Sequence, residues 1–300
     1  MRNGLEQVQR TFIIGDEWLY YKIYTGYKTS DTIIRLAIKP LVEELIAEKL
    51  IDKWFFIRYT DPEYHLRVRF HIPDKSKYSE IILKFNDAFK FYVQEDLVWK
   101  VQVDTYKREI ERYGANTMVL SEDLFFYDST AIIEIINLLY GQSNENLRWM
   151  VTIKMIDSLL TDFGYSSAQK KELLSIMQEN FMKEFGFNKD SRKQLGVKFR
   201  KYKDEVENTL NNELHPEFSK ILKKKSEDIE LIVTQLLNLK NENSLEVELN
   251  DLLFSYIHML VNRMMRTNQR KYELVLYDFM QMFYTSKLAR KNKQIEVAQI

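Results

Sequence analysis

No cysteine occurs among the 300 residues. This absence excludes disulfides, a thiolate nucleophile and a cysteine-ligated zinc site, and it accords with a reducing cytoplasm. Glycine (8) and proline (4) are scarce, which argues against disorder, collagen-like sequence and long flexible linkers. Net charge is also missing: 44 Lys+Arg balance 44 Asp+Glu. No overall field therefore draws the chain to nucleic acid or to an anionic membrane, and any anion recognition has to be local. The opening segment MRNGLEQVQR has no apolar stretch of the secretory type, no apolar run approaches bilayer length, and no internal repeat is visible. Generic catalytic signatures are absent too: there is no G-x-S-x-G elbow, Walker loop, G-x-G-x-x-G or H-E-x-x-H. A soluble, globular, cytoplasmic protein is expected, with a core fed by 45% hydrophobic residues.

The most informative stretch is Trp54 to His71, WFFIRYTDPEYHLRVRFH. It reads as two strands joined by an Asp-Pro turn. In the second, His65, Arg67, Arg69 and His71 share one face, while Leu66, Val68, Phe70 and Ile72 share the other. A solvated outer face is the ordinary reading of an Arg-x-Arg pair. Here the face carries only cationic or imidazole groups at alternate positions, without an acidic residue between them, and arginine suits bidentate capture of carboxylate or phosphate.

Around that hairpin the chain predicts a β-α-β-β-α-β order, the split βαβ or ferredoxin-like arrangement. A strand is expected at 18–25. An amphipathic helix should follow to about residue 50, capped by Thr29, Ser30 or Asp31 and kinked or split at Pro40. Strands at 54–60 and 64–72 precede a helix at 77–96 with an apolar stripe of Ile81, Ile82, Phe85, Phe89 and Val93. Residues 98–104 then alternate Trp99, Val101 and Val103 against Lys100, Gln102 and Asp104, a half-buried strand. From about 117 helical periodicity dominates, with helices near 118–140, 146–163, 167–184, 190–211, 217–240, 247–267 and 270–286. Ser167 and Ser244 are expected as caps, Pro216 at a first turn, and Gly141, Gly164 and Gly186 at helix ends. The fold class is therefore α+β: an α/β portion over 1–115 and a helical portion over 116–300. No linker-like composition separates them, so they are expected to form one body.

Two further segments carry chemistry-bearing residues. In YKREIERYG (106–114), Glu109 and Arg112 are spaced to share one helical face, which by itself means no more than a surface ion pair. In SYIHMLVNR (255–263), Ser255, His258 and Asn262 form a polar stripe on an otherwise apolar helix. A histidine there is more often a packed core residue than a catalyst, but its intrinsic pKa suits a general base. His65 and His71 have no acidic partner on their strand, so no metal site is expected. His215 precedes Pro216 in a loop and is given no role. The residues alone indicate a local cationic site for an anion, with a histidine base in view.

These segments also resemble a known family. W-L-Y-Y-K-I-Y (18–24), L-I-D-K-W-F-F-I-R-Y-T-D-P (50–62), H-L-R-V-R-F (65–70), Y-K-R-E-I-E-R-Y-G (106–114), L-F-F-Y-D-S (124–129) and S-Y-I-H-M-L-V-N-R (255–263) follow the order of the C-terminal, glutamate-elimination domain of class I lantibiotic dehydratases. Free-standing relatives of that domain serve thiopeptide-type bacteriocin biosynthesis. The resemblance implies a carbon-oxygen lyase that removes glutamate from glutamylated Ser or Thr of a precursor peptide, leaving dehydroalanine or dehydrobutyrine. It implies His258, Arg69 and Arg112 as catalytic residues and Arg67 and Glu109 as substrate-binding residues, with no cofactor and no metal. The expected partners are the glutamylated precursor peptide and a separate glutamylation protein using glutamyl-tRNA. That second partner is expected because the first matching segment lies about 17 residues from Met1. Direct nucleic-acid binding and a membrane span are not expected, and a homo-oligomer is left open. Two alternatives stand beside this reading: a pyridine-forming cycloaddition enzyme on the same scaffold, and a non-catalytic peptide-binding scaffold. Under the elimination reading, an arginine of the hairpin (Arg67 or Arg69), Arg112 and His258 should converge, with His65 and His71 at the rim.

Overall fold

The protein is described by a computed structural model over residues 8–143, 146–186, 188–211 and 214–298. The mixed part runs β1 (Thr11–Phe12), β2 (Trp18–Thr25), α1 (Ser30–Ile33), a π-helical turn (Ile34–Ile38), α2 (Lys39–Ala47), β3 (Lys53–Tyr59), β4 (His65–His71), α3 (Tyr78–Gln94), β5 (Val98–Asp104), β6 (Tyr106–Lys107) and α4 (Ile110–Tyr113). The helical part continues with α5 (Met118–Leu139), α6 (Leu147–Asp162), α7 (Ser167–Glu184), α8 (Lys189–Leu210), α9 (Pro216–Asn241), α10 (Leu249–Met264) and α11 (Gln269–Ala298). Packing gathers Met1–Gly141 with Thr234–Thr267 into one compact unit and Gln142–Val233 with Asn268–Ile300 into another. Secondary structure thus changes type near residue 115, whereas packing groups α5 and α10 with the sheet.

In the first unit, four strands form an antiparallel sheet of order β3-β4-β2-β5. With β2 as the first strand of the motif, this is the split βαβ order anticipated from the sequence. Central β2 (WLYYKIYT) is almost wholly buried, as expected of an aromatic, β-branched strand flanked on both sides. One sheet face meets α3, where Tyr21 stacks on Phe85 at 3.8 Å and Phe85 on Phe89 at 4.3 Å. The α3 stripe is narrower than predicted, since Ile82 and Val93 are exposed. Edge strand β5 also buries less than its alternation suggested: Trp99 and Val103 are exposed and Val98 is the buried residue. A two-stranded ribbon of β1 and β6, not foreseen, precedes α4.

Helix boundaries show where local signals were overridden. The expected break at Pro40 takes the form of the π-turn at Ile34–Ile38, with Pro40 in the first turn of α2, where its missing N–H costs little. Thr29 makes no capping bond; Ser30 and Asp31 instead accept hydrogen bonds from the buried Arg58 guanidinium at 2.6 and 2.7 Å. Ser166, one residue before the expected cap, closes a capping box with Gln169. Ser244 caps nothing, because α10 starts at Leu249 after Glu248.

The remaining edge of the sheet is closed by side chains. In β3, Phe55 and Ile57 pair with β4, so the backbone groups of Phe56 and Arg58 face outward. Asn262 accepts from the Arg58 N–H and donates to its carbonyl, both at 2.9 Å. Arg263 Nε donates to the Phe56 carbonyl at 2.8 Å, and the Phe56 N–H reaches Ser129 Oγ at 3.3 Å. Arg263 is fully buried and pairs with Asp128 at 2.8 Å.

In the second unit, α11 lies against α7, α8 and α6. Phe279 meets Trp149 and Phe199 edge-on. Buried Lys170 donates to Asp157 Oδ1 (2.5 Å) and Thr161 Oγ1 (2.6 Å), and the Tyr284 hydroxyl donates to the same aspartate. Among the described residues no helix is long and apolar enough to cross a membrane.

Asn262→Ala leaves two strand-edge groups unmet and should cost about 1–3 kcal/mol in urea unfolding; an unchanged midpoint and slope would show that the edge is not held this way. Burial lifts the Asp278 carboxyl to about 6, the Gln178 amide opposing it. A raised carboxyl favours the folded state when protonated. Its contribution is full below the unfolded value near 3.8 and is lost as pH rises through about 6. The total is about 3 kcal/mol. Asp278→Asn should flatten that part of the pH–stability curve between about pH 3.8 and 6, and a slope equal to wild type would assign it to another group.

Candidate active site

Strand alternation in β4 sets His65, Arg67, Arg69 and His71 on one face, beside Tyr24, Lys22, Tyr20 and Trp18 of β2 and Tyr59, Ile57, Phe55 and Lys53 of β3. This is not the open cationic surface that the strand alone suggested. His65 is fully buried. Its Nε2 accepts from Arg67 Nε at 3.1 Å, and its Nδ1 lies 2.8 Å from the Glu63 carbonyl, an arrangement that puts the ring proton on Nδ1. Burial, with Arg67 and Lys22 nearby, holds its pKa below the ordinary imidazole value. His65 is thus an internal acceptor, not a rim residue. His71 finds an acid from outside its strand, with Nδ1 2.6 Å from Asp52. Arg67 stacks over Tyr59, its guanidinium carbon 3.4 Å from the ring centroid.

Arg69 has a different environment. Only 7% exposed, its guanidinium carbon lies 4.4, 4.8 and 5.1 Å from the ring centroids of Tyr20, Tyr106 and Phe55. Its Nε and Nη1 have no hydrogen-bond partner, and no carboxylate pairs with it among the described residues. A buried cation without an anion carries a large desolvation cost, so the arrangement is complementary to a negatively charged ligand.

The YKREIERYG segment is pinned just ahead of Glu109 and Arg112. Arg108 grips buried Glu122 with Nε at 2.7 Å and Nη2 at 2.6 Å, and the Tyr106 hydroxyl donates to Glu122 at 2.7 Å. The chain then turns through α4. Gly114, at φ +75°, has Thr117 Oγ1 only 3.1 Å from where a Cβ would stand, so a side chain at the end of this motif would be both strained and crowded. Arg112 and Glu109 meet loosely at 3.5 Å, both accessible to solvent. The firmer contact of Arg112 is with α10, where its Nε donates to Ser255 Oγ at 3.0 Å. Half-buried His258 lies one turn further along the same stripe of α10.

Arg112 is therefore tied to the helix that bears His258. Tyr113 lies within electrostatic reach of both Arg112 and Arg69. Burial pushes its hydroxyl up to about 12, with Arg112 the leading opposing influence. Arg67 stands apart, engaged with Tyr59 and His65. Sequence reasoning did not anticipate Arg108, Glu122 and Tyr113 as the supports of this region, nor Asn262 and Arg263 as clamps on β3. Among the described residues no group of three His, Asp or Glu side chains is placed to hold a metal.

Residues 18–284 match the family described as lantibiotic biosynthesis dehydratase C-term. The chain belongs to this family. It is 23% identical over 277 residues to the nisin biosynthesis protein NisB of Lactococcus lactis subsp. lactis, covering 91% of this chain and 26% of that protein. It is 25% identical over 279 residues to the epidermin biosynthesis protein EpiB of Staphylococcus epidermidis, covering 90% and 26% respectively. The chain thus spans about a quarter of the length of these relatives. The tRNA-dependent lantibiotic dehydratase MibB from Microbispora sp. 107891 shares the fold with a TM-score of 0.71 at 21% identity, over 92% of this chain and 29% of that one. The pyridine synthase TbtD from thiomuracin biosynthesis shares it with a TM-score of 0.63 at 12% identity, over 90% of this chain and 99% of that one. At these identities the structural likeness speaks to fold alone.

Arg108→Ala strands Glu122 as a buried, unpaired carboxylate and should destabilise the protein by about 3–5 kcal/mol. A thermal midpoint within a degree of wild type would show that the Arg108–Glu122 pair does not support the site.

Proposed function

We propose that this member of the lantibiotic dehydratase C-terminal family is a carbon-oxygen lyase that eliminates glutamate from glutamylated Ser or Thr residues of a ribosomal precursor peptide. In the reaction a base takes the Cα proton, the Cα=Cβ double bond forms, and the Cβ–O bond breaks with its electron pair departing on the glutamate carboxylate. Dehydroalanine or dehydrobutyrine remains. The observation that carries this reading is the desolvated Arg69 guanidinium, which has two donor atoms unmet, together with Arg112 held on the helix of His258. In this reading His258 is the base, or the acid that completes proton transfer. Arg69 and Arg112 bind the glutamyl group and stabilise charge developing on the leaving carboxylate. Arg67 and Glu109 orient the arginines or the peptide. The substrate requires prior glutamylation, for which the family resemblance points to a partner activity using glutamyl-tRNA.

A pyridine-forming cycloaddition on the same scaffold is the second reading, motivated by the fold shared with TbtD. Joining two dehydroamino acids makes no use of a buried anion site, so Arg69 favours elimination. The deciding experiment incubates the purified protein with a chemically glutamylated peptide and follows its mass. Loss of glutamate to give a dehydrated residue is expected, and an ester that persists refutes the lyase reading. Arg69→Ala, Arg112→Ala and His258→Ala should each lower elimination by at least about 100-fold with the fold intact. Unchanged turnover in all three would remove the site assignment.

A further inference from the structure

Arg69 is not the only unmet donor on its face of the sheet. Tyr20, its cross-strand partner, is 4% exposed, and its hydroxyl has no hydrogen-bond partner among the described residues. The Trp18 indole N–H, two residues earlier on the same face of β2, is likewise buried and unmet. Hydroxyl and indole groups in a folded interior ordinarily find partners. Tyr20 lies under a guanidinium with the same deficit, and Trp18 packs 5.4 Å from Tyr106, another of the rings that the guanidinium meets. Burial raises the Tyr20 hydroxyl above its ordinary pKa, with Arg69 the leading opposing influence, so at neutral pH it is a donor. An ionised carboxylate takes several donors at once, and one guanidinium sheathed in aromatic rings leaves room in its coordination for a hydroxyl.

We infer that Tyr20 donates its hydroxyl to the same carboxylate that Arg69 binds, and so is a further substrate-binding residue that selects a glutamyl group over a neutral acyl group of similar size. The inference rests on the proposed elimination of glutamate. It assigns the W-L-Y-Y-K-I-Y strand a part in the site beyond packing. A neutral amide in place of the carboxylate would leave the Arg69 charge uncompensated, which gives the selectivity its physical source.

The test is binding of free glutamate and of glutamine to the intact protein by calorimetry, with elimination of a glutamyl ester measured separately. Wild type should prefer glutamate, and Tyr20→Phe, which keeps the ring over Arg69, should weaken glutamate binding about tenfold and shrink the preference over glutamine. In turnover the same variant should raise KM more than it lowers kcat. Equal glutamate affinity in wild type and Tyr20→Phe overturns the role of Tyr20 and leaves the elimination reading intact. Failure of wild type to prefer glutamate overturns the carboxylate site, Tyr20 included, whereas elimination stands or falls on ester turnover. Should Tyr20→Phe fold poorly, 3-fluorotyrosine at position 20 keeps the hydroxyl and makes it a stronger donor. Glutamate affinity should then rise, and an unchanged affinity overturns the assignment.

Discussion

The site depends on how strand β3 is closed. An edge strand presents a row of unpaired N–H and C=O groups, which proteins must cover or leave open to association. Here Asn262 and Arg263 of α10, with Ser129 of α5, take the outward groups of Phe56 and Arg58. These side chains replace a fifth strand. They also fix α10 against the sheet in register, and α10 carries Ser255 and His258. The sheet carries Arg69. Closing an edge and assembling a site are thus the same set of contacts, and the SYIHMLVNR segment serves both ends of them.

The buried arginines show how structural and functional charge differ. Arg58 pairs with Asp31, Arg108 with Glu122 and Arg263 with Asp128. Each brings its own carboxylate, because a guanidinium removed from water must recover its lost solvation from a nearby anion. Arg69 is buried to a comparable degree yet meets aromatic faces in place of an acid. Aromatic quadrupoles compensate a cation only in part. Under the proposed function, the glutamyl carboxylate supplies the remainder. Arg112 and Glu109, by contrast, are accessible to solvent, so the hydrogen bond to Ser255 matters more to the placement of Arg112 than its loose ion pair does.

Much of the fold was legible because it depends on period and residue type. The alternation of HLRVRFH, the density of aromatic residues in WLYYKIYT and the helical spacing after residue 117 each specify an element from local sequence. The six family-like segments placed the same residues in one order. Local signals failed where tertiary contacts competed for the same groups. Ser30 and Asp31 are good caps by type, but Arg58 claims both side chains. Trp99 and Val103 alternate like a buried strand, but β5 is the last strand of its sheet.

By itself the sequence determined the α+β class, the order of strands and helices, and which arginines, acid and histidine are candidates for chemistry. Only the tertiary structure decided which of those charges are spent on the fold. The carboxylates that neutralise Arg108, Arg58 and Arg263 lie 14, 27 and 135 residues away in the chain. No local pattern reports a partner at such distances, since burial and pairing arise only when distant segments pack. The same packing leaves Arg69 beside Tyr20 among aromatic rings, with no carboxylate paired to it among the described residues, and that missing counter-ion, invisible in the strand that bears it, is what sets Arg69 apart from the three paired arginines.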